Sequence, residues 1–269
     1  MGKISKNKIA ISGTTGFVGK NLEHFFTQNN VKYKTISRLA FQKNKLSLIS
    51  DCNCFVHLVG IGTETEKESF EEVNVELTKK IVDVCKKSKI KKIIYFSGLG
   101  VSSKSTSDYF ISKFKAERLI IKSGLDYTIF RPSYIIGKDD YLTRNFKKQI
   151  RKKKILIPGS GKYTIQPISI QDVCYIVNLA SQSRDFSKKI IDLVGPEKIS
   201  FIQFAKNSAL RFNSKIEKIS IKKSLDSALT EKKFPYGIED LNILLGNFHG
   251  NYKKLKIISK MEFSRIKSI

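Results

Sequence analysis

The sequence has few of the residues on which several kinds of functional site and of protein architecture depend. It has no tryptophan, three histidines, four cysteines and five prolines among its 269 residues. It also lacks a low-complexity linker and any repeat of about 20–50 residues, which argues against a repeat architecture. Hydrophobic residues make up 41% of the chain, which excludes global disorder and predicts one large or two small folded domains. No apolar run is long enough to span a bilayer.

The few histidines and cysteines argue against a metal site and against a histidine-based triad. His24 falls on a predicted helix and His57 in a predicted buried strand, so we interpret both as structural. Cys52-x-Cys54 lies in that same strand, where the two side chains should point to opposite faces of the sheet. The cysteines are typical of small core residues in a reducing, cytoplasmic compartment. Residues 1–8 are polar and lead into a strand, which predicts that there is no signal peptide.

Basic residues outnumber acidic ones by 50 to 24, which gives a formal net charge of +26. This charge favours an anionic partner, since phosphate surfaces attract lysine and arginine; solvated lysines in a chain of biased composition are the alternative. Two runs are dense, 86–92 and 147–154, and both fall where a helix is predicted to end. The run at 147–154 is the better candidate for contact with an anionic membrane surface or a membrane complex. Nucleic acid, which rests on charge alone, is the weaker alternative.

Strand and helix patterns alternate through the first two thirds of the chain. This rhythm predicts an α/β fold, a Rossmann-type doubly wound parallel sheet with a smaller C-terminal substrate lobe. The core is expected at 1–136, completed by about 167–195, with the lobe at 137–166 and 196–269. Strands are predicted at 8–12, 31–36, 54–59, 92–97, 127–130 and 190–194, and helices from the first glycine loop to 28 and at 70–87, 109–123, 144–154 and 172–183.

Three glycines follow the first predicted strand and open the first helix. Gly13 permits a tight turn, Gly16 lets backbone amides approach a pyrophosphate, and Gly19 allows close helix–strand packing. The helix N-terminus adds oriented N–H groups and partial positive charge. The loop therefore predicts a bound nicotinamide dinucleotide. At the end of the second strand, Arg38 stands where an acidic residue would bind the ribose of NAD, which favours NADP(H) while NAD(H) stays open.

A second motif, Tyr109-x-x-x-Lys113, opens a later helix, so its two side chains share one face. A phenol has an ordinary pKa near 10, and a neighbouring ammonium group favours the phenolate form. The spacing alone is weak, since many helices contain it by chance. It gains weight because it follows a strand ending at Ser97 and lies downstream of the glycine loop.

Taken together, these motifs resemble the short-chain dehydrogenase/reductase superfamily, in its extended and atypical branches. The resemblance spans nearly the whole chain and looks closest to an atypical subgroup that includes the nucleotide-binding accessory subunit of respiratory complex I. Members of the subgroup look like NAD(P)-dependent epimerases or reductases. The resemblance is carried by Gly13-x-x-Gly16-x-x-Gly19, Asn74, Tyr109-x-x-x-Lys113, Ser123 to Ser133 and Gln166 to Val173.

The resemblance implies roles for individual residues. Tyr109 would be the general acid/base, and Lys113 would bind the nicotinamide ribose and tune Tyr109. One departure concerns Leu99, which stands where extended enzymes carry a serine or threonine; Ser97, Ser102 or Ser103 are the possible substitutes. The residues implied to bind the dinucleotide are Gly13, Thr15, Gly16, Phe17, Val18, Gly19, Arg38, Val59, Gly60, Lys113, Pro132 and Ser133.

Two main functional hypotheses follow. The first is an NADP(H)-dependent oxidoreductase or epimerase that acts on a small carbonyl or sugar-nucleotide-like substrate, with Tyr109, Lys113 and Ser97 as the catalytic set. The second is a catalytically quiet nucleotide-binding subunit or assembly factor of a membrane complex. It is motivated by Leu99, by the subgroup resemblance and by the positive charge.

Overall fold

The computed structural model describes residues 8–37, 40 and 49–269. Its strands in chain order are β1 Ile9–Ser12, β2 Tyr33–Ile36, β3 Cys54–His57, β4 Lys92–Phe96, β5 Asp126–Pro132, β6 Ile135–Ile136, β7 Lys154–Pro158, β8 Thr164–Ile165, β9 Ile168–Ser169, β10 Lys189–Leu193, β11 Ile199–Ser200 and β12 Lys215–Ile219. Six of them form one sheet in the order β10-β5-β4-β3-β1-β2, and every neighbouring pair is parallel. The predicted Rossmann-type sheet is confirmed.

Helices cover both faces of this sheet, and others build the smaller lobe. The helices of the described residues are α1 Phe17–Gln28, α2 Leu77–Lys87, α3 Asp108–Ile121, α4 Tyr141–Ile150, α5 Ile170–Gln182, α6 Phe201–Leu210, α7 Ile221–Thr230, α8 Ile238–Leu245 and α9 Tyr252–Ser259. One buried cluster joins the sheet to α1 and α5, and a second joins it to α2 and α3. Among the helices of the described residues, none is long and apolar enough to cross a membrane.

The sheet contains the point at which the strand order reverses, between β1 and β3. The chain runs from β1 outward to β2, and then returns to the other side of β1 to build β3, β4 and β5. Open parallel sheets bind their ligands in the crevice at this point, beyond the carboxyl ends of the strands. The glycine loop after Ser12 and the segment after His57 both lie there.

Cys52 and Cys54 pack on opposite faces of the sheet as predicted, but the prediction that both lie in the strand was wrong, because β3 begins at Cys54. Cys52 packs in the cluster of α2 and α3, whereas Cys54 packs in the cluster of α1 and α5. Burial raises the pKa of Cys54 to about 12, so its thiol stays protonated and behaves as a small apolar group. His57 is also fully buried, bonded through Nδ1 to Ser12 Oγ at 3.1 Å and through Nε2 to Thr78 Oγ1 at 3.0 Å.

Two predicted helices differ from the structure. The helix expected at 144–154 begins earlier, at Tyr141, because the Asp140 carboxylate accepts from the Thr143 N–H at 2.9 Å and caps its N-terminus. It also ends earlier, at Ile150, since Lys153 adopts a positive φ of 55° and β7 starts at the next residue. The helix expected at 70–87 begins with one wide π-turn, Glu71–Glu76, before α2.

The region beyond β5 builds a third buried cluster, which belongs to the smaller lobe. β7 and β12 pair in parallel there. Aromatic side chains from α4 and α6, such as Phe146 and Phe201, fill this core. Leu255 on α9 and Phe263 instead pack into the main core, so part of the predicted 196–269 segment lies against the sheet.

Candidate functional site

The glycine loop leaves no room for side chains at two of its three glycines. Gly13 has a φ of +82°, and a Cβ there would lie 2.9 Å from the backbone of Leu58 and Val59. A Cβ on Gly19 would lie 2.3 Å from the Gly13 carbonyl oxygen and 2.6 Å from Thr14 Cα. Both contacts are far closer than van der Waals distance. The glycines therefore hold β1, the start of α1 and the end of β3 in one tight cradle.

The N-terminus of α1 offers free donors to an anion. Gly16 is the N-cap residue, so no side chain caps the helix, and its first turn contains no acidic residue. The first backbone N–H groups of a helix carry no intrahelical partner and partial positive charge, which suits a phosphate group. Thr15 and Gly16 are exposed, as a loop facing a ligand requires, whereas the partly buried Val18 packs against the main core. The cradle thus fits a dinucleotide pyrophosphate.

The segment after β3 is clamped by Asn74. Its Oδ1 accepts from the Ile61 N–H at 2.9 Å, and its Nδ2 donates to the Ile61 carbonyl at 3.1 Å and to Ser112 Oγ at 3.0 Å. Asn74 is fully buried, so these bonds fix the Gly60-Ile61 backbone against α3. Sequence reasoning named Asn74 only as part of a motif, and nothing local indicated that it holds the predicted cofactor segment Val59-Gly60.

The residue expected to select the phosphate of NADP, Arg38, lies outside the described residues. β2 ends at Ile36, next to β1, so the described backbone leads to the adenosine side of the crevice. The preference for NADP over NAD therefore stays a prediction.

The side chains of Tyr109 and Lys113, both on α3, reach the carboxyl ends of the neighbouring strands β4 and β3. The Tyr109 hydroxyl is 3.3 Å from the position that a Gly98 Cβ would take, beyond β4. Lys113 Nζ is 3.3 Å from the corresponding position at Gly60, beyond β3, and 4.5 Å from the centroid of the Tyr95 ring. The two side chains thus face the crevice as one helical turn of α3 predicts. The lysine, however, rests over Tyr95, and no hydrogen bond joins it to Tyr109 among the described residues.

The electrostatics of this pair differ from the expectation that Lys113 favours a phenolate. Burial and the nearby Glu239 carboxylate raise the pKa of Tyr109 to about 12. Burial also lowers the pKa of Lys113 to about 7, although the Glu117 carboxylate opposes that shift. Tyr109 is therefore protonated at neutral pH and suited to donate a proton. The expected lowering of its pKa was wrong because burial and the Glu239 carboxylate raise it, while the Lys113 ammonium lies over the Tyr95 ring.

Glu117 lies one turn beyond Lys113 and is held by an arginine. The guanidinium of Arg131 donates from Nε to Glu117 Oε1 at 2.9 Å and from Nη2 to Oε2 at 2.6 Å. Glu117 is 1% exposed, so the pair puts a fixed negative charge beneath the lysine. A two-point bond of this kind is rigid, and it ties α3 to β5.

Ser97, Leu99, Pro132 and Ser133 border a cavity together with Tyr109. The Ser97 side chain is 4% exposed, and its hydroxyl has no hydrogen-bond partner among the described residues. Leu99 is 8% exposed and supplies only carbon to the lining. Ser97 is thus the hydroxyl of this segment that borders the cavity, whereas Ser102 and Ser103 are exposed, and Ser102 bonds within its own turn.

Seven lining residues escaped sequence reasoning, and two of them, Ile243 on α8 and Phe248 just after that helix, come from far along the chain. The Phe248 ring lies 5.3 Å from that of Phe110, centroid to centroid. It also covers Gly100, where a Cβ would come within 2.7 Å of the ring. The sequence signal for this contact was Gly100. It has a φ of +102° and no side chain, which leaves the space that the Phe248 ring fills. Contacts between parts so distant in the chain have no local pattern.

Comparison with known proteins agrees with this geometry. A family model described as NAD(P)H-binding matches residues 42–162, which follow the glycine loop. The chain is 29% identical over 154 residues to NADH dehydrogenase (ubiquinone) 1 alpha subcomplex subunit 9, mitochondrial, of Arabidopsis thaliana, covering 56% of this chain and 38% of that protein. It is 26% identical over 159 residues to the protein of the same name in Mus musculus, covering 59% and 42%. The match spans about two fifths of the length of these relatives.

Solved structures share the fold over nearly the whole chain. A nucleoside-diphosphate-sugar epimerase from Staphylococcus aureus superposes with a TM-score of 0.75 at 15% identity, covering 97% of this chain and 98% of that one. A UDP-glucuronic acid 4-epimerase from Bacillus cereus, in complex with UDP-glucuronic acid and NAD, superposes with a TM-score of 0.72 at 17% identity, covering 97% and 95%. Residues 42–162 therefore match an NAD(P)H-binding family model, the chain shares its fold with the solved epimerases, and it is distantly similar to the mitochondrial NADH dehydrogenase subunit.

Proposed function

We propose that the chain is an NADP(H)-dependent oxidoreductase or epimerase that acts on a small carbonyl or sugar-nucleotide-like substrate. The observation that carries this proposal is the shared cavity of Tyr109 and Ser97, beside the segment Pro132-Ser133. The residue with the protonated phenol and the residue with a buried, unpartnered hydroxyl thus line one cavity at the carboxyl edge of the sheet. Such a pair suits a reaction in which charge develops on a substrate oxygen.

The residues of the site would have separate roles in binding and in proton transfer. When bound, the nicotinamide supplies or accepts the hydride. The glycine cradle and the N-terminus of α1 hold the pyrophosphate, and Lys113 lies at Gly60, where its ammonium group can donate to ribose hydroxyls. Ser97 donates a hydrogen bond to the substrate oxygen, and Tyr109 gives that oxygen its proton. Because the pKa of Tyr109 is about 12, the hydroxyl carries its proton throughout the neutral range.

The cofactor part of the proposal is tested by thermal unfolding with NAD, NADH, NADP and NADPH. A ligand that binds only the folded state raises the unfolding temperature. We expect the largest increase with NADPH, and Arg38→Glu should move the preference toward NADH. An equal response to all four dinucleotides in the unmodified protein would contradict the role of Arg38, and no response to any would contradict the proposal as a whole.

The catalytic part is tested with Tyr109→Phe. The variant keeps the ring that packs against Phe70 and Phe110 and loses only the hydroxyl. We expect turnover to fall by a factor of about 10²–10⁴, since positioned acid–base groups contribute that much, while the shift with NADPH is kept. Unchanged turnover would remove Tyr109 from the reaction.

A second candidate is the quiet nucleotide-binding subunit of a membrane complex, and a specific surface favours it. A basic groove of about 1010 Å³ lies between α4 and the segment before α8. Lys154 pairs with Glu217, but the other cations of the groove form no ion pair with a described residue. Those cations are Arg144, Lys148, Arg151, Lys152, Lys232 and Lys233. Leu99, in place of a hydroxyl, and the relatives named above point the same way.

This candidate is tested by sedimentation with vesicles that contain anionic lipid. We expect Arg144→Glu with Lys148→Glu to abolish binding at low salt, because charge reversal removes the attraction. The matched control, Lys87→Glu with Lys91→Glu, changes the net charge equally in the other basic run. Equal losses of vesicle binding in both variants would show that binding depends on the net charge of the protein and not on the groove. Failure of the unmodified protein to bind would remove this candidate.

A further inference from the structure

We infer that the cavity beside Tyr109 takes a neutral, mainly apolar carbonyl compound, or the matching alcohol, rather than a sugar nucleotide. The inference rests on the proposed oxidoreductase function and names the substrate class of that site. It is drawn from the size of the cavity, the chemistry of its walls and the way those walls are fixed.

The size of the cavity limits what can enter. It is an open cavity of about 190 Å³. This is below the range of about 300–1,000 Å³ that holds drug-sized ligands. Pro132 and Ser133, which the resemblance assigns to the nicotinamide, line it too. The space left for a substrate therefore suits one ring or a short branched chain, and not a hexose joined to a nucleotide.

The lining of the cavity is mainly carbon. Leu99, Phe110, Ile165, Ile243 and Phe248 supply aliphatic and aromatic surface, and the lining contains no acidic, basic or amide side chain. A sugar brings several hydroxyls, and each one buried without a partner costs binding free energy. The basic groove, with all of its cations, has a separate lining. A neutral apolar molecule does not leave buried hydroxyls of its own without partners against such walls.

One polar edge matches one substrate oxygen. Ser97 Oγ is buried without a partner, and the Tyr109 hydroxyl borders the same cavity. The lining has three further hydroxyls, on Ser133, Tyr134 and Thr164, and Thr164 is already bonded through Oγ1 to Asn247 at 3.2 Å and to His249 Nε2. Hydroxyls are thus the only polar side-chain groups of the lining, and one carbonyl oxygen can accept from the Tyr109 hydroxyl.

The far wall is held in place and does not need the substrate to form it. The Asn247 carboxamide accepts from the Thr164 N–H at 2.7 Å. Gly250 N–H donates to Gln166 Oε1 at 3.1 Å, and Asn251 N–H donates to Asp192 Oδ2 at 2.9 Å. These bonds bracket Phe248, whose ring lies on Gly100 and against Phe110. The aromatic wall is preorganised, which lowers the entropic cost of binding.

The reduction balances with the groups named. The carbonyl carbon receives a hydride, with its electron pair, from the reduced dinucleotide, and the C=O π bond breaks. The oxygen takes the proton of Tyr109, and the phenolate is reprotonated from solvent. The products are an alcohol and the oxidised dinucleotide.

Binding is measured by calorimetry on the full chain saturated with the dinucleotide that gives the largest thermal shift. Acetophenone is the neutral apolar probe, and UDP-glucuronic acid is the sugar nucleotide. We expect acetophenone to bind with a Kd of about 1 mM or tighter, as its size allows, and UDP-glucuronic acid to give no heat at this cavity. Saturable binding of the sugar nucleotide without binding of the ketone overturns the inference, as does binding of neither. Failure of every dinucleotide to bind overturns the proposed function instead.

Variants locate the binding. Ile243→Asn puts an amide into the apolar wall and should weaken acetophenone about tenfold. Ile257→Asn is the matched control, since Ile257 is 74% exposed and absent from the lining, and it should change Kd less than twofold. Phe248→Ala enlarges the cavity and should improve binding of the bulkier 2-acetonaphthone, which keeps the inference testable if Ile243→Asn does not fold. Equal effects of the two asparagine variants, or no gain with Phe248→Ala, contradict the assignment.

Discussion

Replacing Ser97 by alanine should stabilise the protein and impair the reaction at once. The Ser97 hydroxyl is buried at the edge of the cavity and has no hydrogen-bond partner among the described residues. A buried polar group without a partner costs about 1–3 kcal/mol relative to water. Removing the oxygen abolishes that cost and leaves a space of only one atom. We therefore expect the free energy of unfolding to rise by about 1 kcal/mol.

The measurement is urea unfolding of the protein without ligand, at neutral pH, for the serine and alanine forms. Ser88 provides a matched control, because its buried hydroxyl also lacks a partner among the described residues and lies at the end of α2. Ser88→Ala should stabilise the fold by a similar amount. A loss of stability in Ser97→Ala would show that the hydroxyl is satisfied, and the reasoning from its burial would be refuted.

Measurements of turnover distinguish the role of Ser97 from that of Ser88. If Ser97 donates to the substrate oxygen, its loss should lower kcat by a factor of about 10²–10³, the usual effect of removing one such donor. Ser88→Ala should leave kcat unchanged, since Ser88 is not in the cavity lining. Equal turnover in the two variants would mean that the hydroxyl of Ser97 has no part in the chemistry.

Three further predictions concern the cradle and two buried bases. Gly19→Val should weaken dinucleotide binding at least tenfold in calorimetry, because a Cβ would lie 2.3 Å from a backbone oxygen, whereas Gly62→Ala, with nothing within 4 Å of its added Cβ, should bind normally. Burial lowers the pKa of His57 from 6.5 to about 3, so the unfolded chain alone takes up that proton; unfolding free energy should fall by up to about 5 kcal/mol from pH 6.5 to 3, and His57→Gln should flatten the profile. Burial lowers the pKa of Lys113 from 10.5 to about 7, so stability should rise with pH between these values, and Lys113→Met should be the more stable form at pH 7, with the difference closing toward pH 10.5.

Patterns within single elements predicted most of the sheet. The apolar runs of β3 and β4 have the continuous character of strands covered on both faces, and both lie where they were expected. The glycine loop was readable because its requirement is local: a glycine is needed where the backbone of one strand end approaches a helix start. Helix ends were less readable, since Asp140 and Lys153 define α4 through a cap and a positive φ rather than through apolar periodicity.

The chemistry of the site depends on contacts that no local pattern contains. The spacing of Tyr109 and Lys113 correctly predicts that both face the crevice, but not that Tyr95 from β4 lies under the lysine. Nor does it predict that Glu239, far along the chain, lies near the phenol and helps raise its pKa.

The same holds for the cavity. Leu99 in the expected serine position suggests a lost hydroxyl, whereas the structure shows a buried one on Ser97, two residues earlier. Leu99 and Phe248 both supply carbon surface to the cavity in which a serine was expected. An exchange of this kind alters which substrate can enter while it leaves the proton donor in place. The missing serine is for that reason an argument about specificity at least as much as about loss of activity.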